Sequence, residues 1–257
     1  MHATLPAMLI AIAAALAVEA RAADTPDERC YELRIYTAPE GKLEALHARF
    51  RDHTCQLFAK HGMTNVGYWV PLENQENKLY YVLAYPSRQA RNKSWSAFMA
   101  DPDWRAAYVA SEKDGKLTSK VESRFLQATD FSPAIKPGIA DEPRIFELRT
   151  YTCTPGNLER LLTRFRDHTC ELFAKHGMTN WAYWTLEKGQ PGADETLIYL
   201  LAHPSPDACA ASFAAFREDP AWTKAKAESE TAAGGSLTAP DGVKSLLLQA
   251  TDYSPTR

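Results

Sequence analysis

Between residues 31 and 37 the chain alternates strictly. Tyr31, Leu33 and Ile35 are apolar or aromatic, while Glu32, Arg34 and Tyr36 fall between them. A period of two in such a run predicts a β-strand. The turn Pro39-Glu40-Gly41 then changes the period. Leu43, Leu46, Phe50, Thr54, Leu57 and Phe58 recur at helical spacing, and Gly62 suits the left-handed stop just past a helix. Residues 66–72 and 79–85 read as two strands of a hairpin joined by a polar loop. Ser87 opens a second helix through Phe98. Asp101-Pro102 supplies an N-cap with proline at the first helical position for a further short helix. Residues 121–129 close the unit as a strand.

The same order returns in the second half. FRDHTCQLFAKHGMTN at residues 50–65 reappears at 165–180 with fifteen of sixteen positions identical, Gln56 against Glu171 being the change. YELRIYT is answered by FELRTYT at Phe146, YYVLAYPS by IYLLAHPS, DPDW by DPAW, and FLQATDFSP by LLQATDYSP. The offset grows from 115 to 118 to 122, which places small insertions in loops. This is a tandem duplication, with a first unit over residues 30–133, a Pro-rich joint at 134–143 and a second unit over 144–255. Each unit has the order β-α-β-β-α-β of the ferredoxin-like arrangement. The second and third strands are apolar on both parities, so each sheet needs cover on both faces. The expected fold is α+β, two ferredoxin-like units packed sheet to sheet as an intrachain pseudo-dimer, with any further assembly left open.

YELRIYT, the helix entered through a Pro/Glu-Gly turn, the HGM helix ends, GYWV, YPSR before an aromatic-rich helix, and DPDW, taken in that order through both halves, resemble NIPSNAP domains. The resemblance implies the dimeric α+β-barrel superfamily, whose members include cofactor-independent monooxygenases, haem-handling enzymes and plain binding barrels. It implies no settled chemistry. The two units and the apolar N terminus depart from single-domain members.

Composition then narrows the field. Of 257 residues 45% are hydrophobic and 24% charged, an ordinary globular balance. The net charge of −3 and the lack of any Lys/Arg-rich block argue against nucleic acid or anionic lipid as partners. Residues 7–18 form an unbroken apolar run followed by Ala20-Arg21-Ala22, which reads as a signal peptide over residues 1–22. The run is shorter than the roughly 20 residues a spanning helix needs, so no membrane association is expected once it is cleaved, and the protein is expected in the periplasm or outside the cell. Five cysteines, with no CxxC, give an odd count and no disulfide framework.

Candidate chemistry is sparse. His53 and its counterpart His168 fall in the apolar stripe of their helices, either as hydrogen-bonded core residues or as pocket-facing bases. His53 and His61 are eight residues apart, about 12 Å along a helix, too far to share an ion; no metal-ligand spacing is visible. Glu32, Arg34 and Tyr36, with Glu147, Arg149 and Tyr151, should face the space between the sheets, as a polar pocket wall or as a docking ladder. Trp69 and Trp184 read as core residues or as the lining of a flat ligand's pocket. No phosphate loop or nucleophile elbow is present, and no cofactor is expected. The reading favoured here is a non-catalytic module that binds a small molecule or a protein. The alternative is a cofactor-independent monooxygenase-like enzyme acting on an aromatic or polyketide-like substrate through His53 or His168. Haem held by either histidine is a third.

Overall fold

The computed structural model describes residues 27–257, so the signal-peptide expectation at residues 1–22 lies outside the described residues. The first half runs β1 (Cys30–Thr37), α1 (Leu43–Arg49), a π turn (Phe50–Thr54), α2 (Cys55–Lys60), β2 (Thr64–Pro71), β3 (Lys78–Tyr85), α3 (Arg88–Ala100), α4 (Pro102–Ser111) and β4 (Lys120–Ala128). The second repeats it as β5 (Ile145–Cys153), α5 (Leu158–Arg164), a π turn (Phe165–Thr169), α6 (Cys170–Lys175), β6 (Thr179–Leu186), β7 (Thr196–His203), α7 (Pro206–Glu218), α8 (Pro220–Ala233) and β8 (Thr238–Ala250). The predicted caps are in place. Ser87 and Ser205 accept from the third following amide, and Asp101 and Asp219 from the second. Among the described residues no helix is long and apolar enough to cross a membrane.

The strands form one closed antiparallel barrel in the order β1-β3-β2-β8-β5-β7-β6-β4. The α+β barrel that the resemblance implies is present, closed where the two four-stranded runs meet edge to edge. β2 pairs with β8 at Trp69↔Ala250, and β4 with β6 at Ala128↔Trp184. Closure leaves no free sheet edge, which removes the hazard an exposed ladder carries.

Each half also hands its last residues to the other. Arg166 of the second half grips Asp130 of the first through two bonds of 2.8 Å. Phe131 packs on Tyr183, and Ser132 Oγ accepts from the Tyr183 amide at 3.0 Å. Reciprocally, Arg51 grips Asp252 at 2.7 and 3.0 Å, Tyr253 packs on Tyr68, and Ser254 Oγ accepts from the Tyr68 amide at 2.9 Å. The repeated strings ATDFSP and ATDYSP are thus an exchanged clasp.

Closure also decides which way β1 faces. Tyr31, Leu33 and Ile35 point into the barrel, among Trp69, Trp184, Phe146 and Leu248. Glu32 and Arg34 lie outside, under the helices, with the layer of Phe50, Phe58, Tyr81 and Tyr85. The expected orientation is reversed, and Glu147, Arg149 and Tyr151 follow suit in β5. A narrow interior sealed by its own strands offers no partner for a charge, and a buried unpaired charge is costly. The helices do offer partners.

Two outcomes follow. Expressed separately, residues 27–137 carry the unpaired edges of β2 and β4, so this fragment should elute as a dimer or larger species in size-exclusion chromatography with light scattering. A Cβ built on Gly67 would lie 2.2 Å from the Trp69 ring. Gly67→Ala should therefore cost about 1–3 kcal/mol of stability by overpacking, read from the urea midpoint.

Candidate functional site

The charged pair predicted on β1 forms the centre of a buried box. Glu32 is fully buried. Its Oε1 accepts from Arg34 at 2.5 Å, Arg91 at 2.7 Å and Ser123 at 2.6 Å. Its Oε2 accepts from Arg91 at 2.9 Å, Tyr85 at 3.0 Å and Trp95 at 3.2 Å. Arg34 spends its other donors on Tyr81 and Tyr36 and lies 4.3 Å from the centroid of the Trp95 ring. Burial pushes the Glu32 carboxyl up, but the Arg91 hydrogen bonds, the Arg34 charge and Ser123 outweigh it and hold the group at about 2. A carboxylate so fully satisfied has no lone pair left for a substrate.

The second box starts the same way and ends differently. Glu147 Oε1 accepts from Arg149 and Ser245, each at 2.5 Å. Oε2 faces His203 Nε2 at 3.2 Å and Cys209 Sγ at 3.8 Å. His203 stands where Tyr85 does in the first half, Cys209 where Arg91 does, and Phe213 where Trp95 does. Burial, reinforced by the Glu147 charge, pushes the Cys209 thiol up to about 12, so as it stands it is a protonated donor rather than a nucleophile. All five cysteines are free among the described residues.

The two helix histidines leave the apolar stripe. His53 and His168 are exposed, which corrects the expectation for both. The cause is the π turn, where the Cys55 amide bonds back to Phe50. A wider turn slows the rotation. It brings Thr54 inward, its hydroxyl donating to the Arg49 carbonyl at 3.0 Å, and turns His53 out. The second copy does the same with Thr169 and Arg164. His168 borders a surface groove between α5 and α8, remote in sequence and fold from the barrel interior. On the same two segments it is His61 and His176 that bind protein, holding the cap residues Asp101 and Asp219 at 2.6 and 2.7 Å.

Inside the barrel, Trp69 and Trp184 are core residues, with indole N–H groups that find no partner among the described residues. Between them, Leu33, Leu126, Leu148, Ile198 and Leu248 leave a void of about 10 Å³, at most the room of one water. Towards one end the inward positions turn polar. Arg124, Thr150, Thr152, Thr196 and Lys244, with Gln190 from the β6–β7 loop, line an open cleft of about 510 Å³. Among the described residues no ion pair engages Arg124 or Lys244. Sequence reading missed this mouth because Arg124 on β4 joins the residues of β5, β7 and β8 only when the barrel closes. It missed Arg91 and Trp95 although they stand four apart on one face of α3, which was a visible sign of a charged box.

The model of the family described as NIPSNAP matches residues 31–133 and 146–255. Comparison with the curated proteins finds no match. Among solved structures, a monooxygenase candidate from Lactobacillus acidophilus NCFM shares 11% identity over 87% of this chain and 94% of its own, with a TM-score of 0.55. An anthrone oxidase-like protein shares 14% over 88% and 92%, with a TM-score of 0.55. A NIPSNAP family protein of unknown function from Agrobacterium tumefaciens C58 shares 24% over 41% of this chain and 93% of its own, with a TM-score of 0.37. The first two likenesses are of fold: an α+β chain on an antiparallel barrel.

The first box has a pH signature. The folded Glu32 carboxyl titrates below the ordinary value of roughly 4.3, so its stabilisation is present above that value and is lost as pH falls towards about 2. Glu32→Gln should cost about 3 kcal/mol at neutral pH by stranding two arginines. The gap between the two proteins in urea midpoint should shrink between pH 4 and pH 2, within the window set by those two values. A gap independent of pH would show the carboxylate charge to be idle.

Proposed function

The chain belongs to the NIPSNAP family, and from that premise we propose that it is a non-catalytic binding protein whose ligand is a small anionic molecule taken at the polar mouth of the barrel. We read each half as a ferredoxin-like unit, from its strand orders β4-β1-β3-β2 and β8-β5-β7-β6. The observation that carries the reading is the packed interior beneath the open mouth. A residual void of about 10 Å³ cannot admit an aromatic ring system. A substrate-sized ligand needs several hundred Å³, and the mouth offers about 510 Å³.

The chemistry of the mouth sets the class of ligand. Arg124 and Lys244 bring two cations that have no ion-pair partner among the described residues, against the single carboxylate of Glu195, and Thr150, Thr152 and Thr196 bring hydroxyls that donate to a carboxylate. The monooxygenase-like alternative needs a base beside an enclosed substrate. The exposed positions of His53 and His168 supply no such pairing, and fold likeness alone does not bring an activity with it. Export remains part of the proposal; protein sequencing of the mature N terminus tests it, and a start at Met1 removes it.

A thermal-shift survey of small mono- and dicarboxylates should find compounds that raise the melting temperature of the wild type and leave Arg124→Ala/Lys244→Ala unmoved. Equal stabilisation of both proteins, or oxygen uptake with an anthrone-type substrate, would overturn the reading.

A further inference from the structure

The second box differs from the first in a concerted way. Three donors that complete the first carboxylate, Tyr85, Arg91 and Trp95, are replaced by His203, Cys209 and Phe213. Two of the three replacements are the side chains that bind borderline and soft cations best. Both converge on one oxygen, Glu147 Oε2, while Arg149 and Ser245 occupy Oε1 and fix the carboxylate's orientation. Ligand atoms from Glu147, His203 and Cys209 lie within 4.8 Å of one another, and all three residues are buried.

We propose that Glu147, His203 and Cys209 form a buried site for a thiophilic divalent cation, zinc in the first instance. The spacing fits. Zinc bonds of about 2.0–2.3 Å put tetrahedral ligand atoms about 3.3–3.6 Å apart. The observed separations from Oε2 are 3.2 Å to His203 Nε2 and 3.8 Å to Cys209 Sγ. As hydrogen bonds the same contacts are one at the long end of the usual range and a weak one to sulfur. His203 is 1% exposed, and among the described residues its Nδ1 has no partner, so hydrogen bonding satisfies only one of its two ring nitrogens.

The charges fit as well. In the first box Arg91 contributes one positive charge beside the Glu32–Arg34 pair. In the second, a dication bound to the Cys209 thiolate contributes the same net charge beside Glu147–Arg149. Binding releases the thiol proton to solvent as the sulfur–metal bond forms, with no change of oxidation state. Three protein ligands leave one position to water. All three residues are buried, so the ion loads during folding and acts as a brace between β5, β7 and α7 rather than as a catalyst. It is independent of the barrel mouth.

The test uses the untagged full chain. The protein is unfolded with chelator, refolded with one equivalent of zinc or cobalt(II), desalted, and assayed for metal by mass spectrometry. The wild type should retain one ion per chain, and the cobalt form should show a thiolate-to-metal charge-transfer band in the near ultraviolet. His203→Tyr/Cys209→Arg/Phe213→Trp, which copies the first box, should fold with native circular dichroism and retain none. Cys209→Ser, a smaller change that keeps the fold if the triple variant does not, should lose the charge-transfer band. A wild type that refolds without metal, or a Cys209→Ser protein with an unchanged band, overturns the site.

Discussion

The structure depends on two seams, β2 against β8 and β4 against β6, each only three residue pairs long. Ladders that short are weak alone. They are held because each half's terminal segment crosses to the other, where an arginine, a tyrosine ring and that tyrosine's backbone amide take its Asp, aromatic and Ser residues. The seams close the barrel, and closure makes its interior a place without water or charge. Every polar feature of the chain is then displaced, either outward beneath the helices or along the axis to the mouth.

That constraint accounts for most of the block repeated at residues 50–65 and 165–180. Phe50, Thr54, Leu57, Phe58 and Met63 are buried against the outer face of the sheet. Arg51 receives the other half's tail, and His61 and Lys60 both hold Asp101. Asn65 donates to the Cys55 carbonyl at 2.9 Å, tying the helix to β2. Each of these contacts has its twin in the second copy. Asp52 and His53 are also shared by both copies, and they make no hydrogen bond or ion pair among the described residues; nothing in the structure explains their identity.

Elements, repeat, caps and family were legible in the sequence because each is written in neighbouring residues. Tyr31, Leu33 and Ile35 announce a strand, and Asp101-Pro102 announces a helix start. Facing was not legible. Period two states that two sets of residues oppose each other, not which set meets the helices, and both faces of these strands are apolar enough to mislead. Here Arg91 and Trp95 decide it, from another element. The π turn was likewise hidden. FRDHT carries no proline or glycine to mark it, and one widened turn moves His53 from stripe to surface.

The two boxes show what a duplicated barrel is free to change. Residues at the seams and clasps touch both halves, so a change there must be answered across the pseudo-twofold axis, and FRDHT and TD(F/Y)SP have stayed nearly fixed. Glu32 and Glu147 sit under different helices, beneath α3 and α7, and share no partner. Each carboxylate still requires compensation where it stands, because burial without it is costly. The first half meets that requirement with a second arginine. The second half has no such arginine, and a buried Glu–Arg pair flanked by an imidazole and a thiol is the arrangement that makes a cation its natural counterpart.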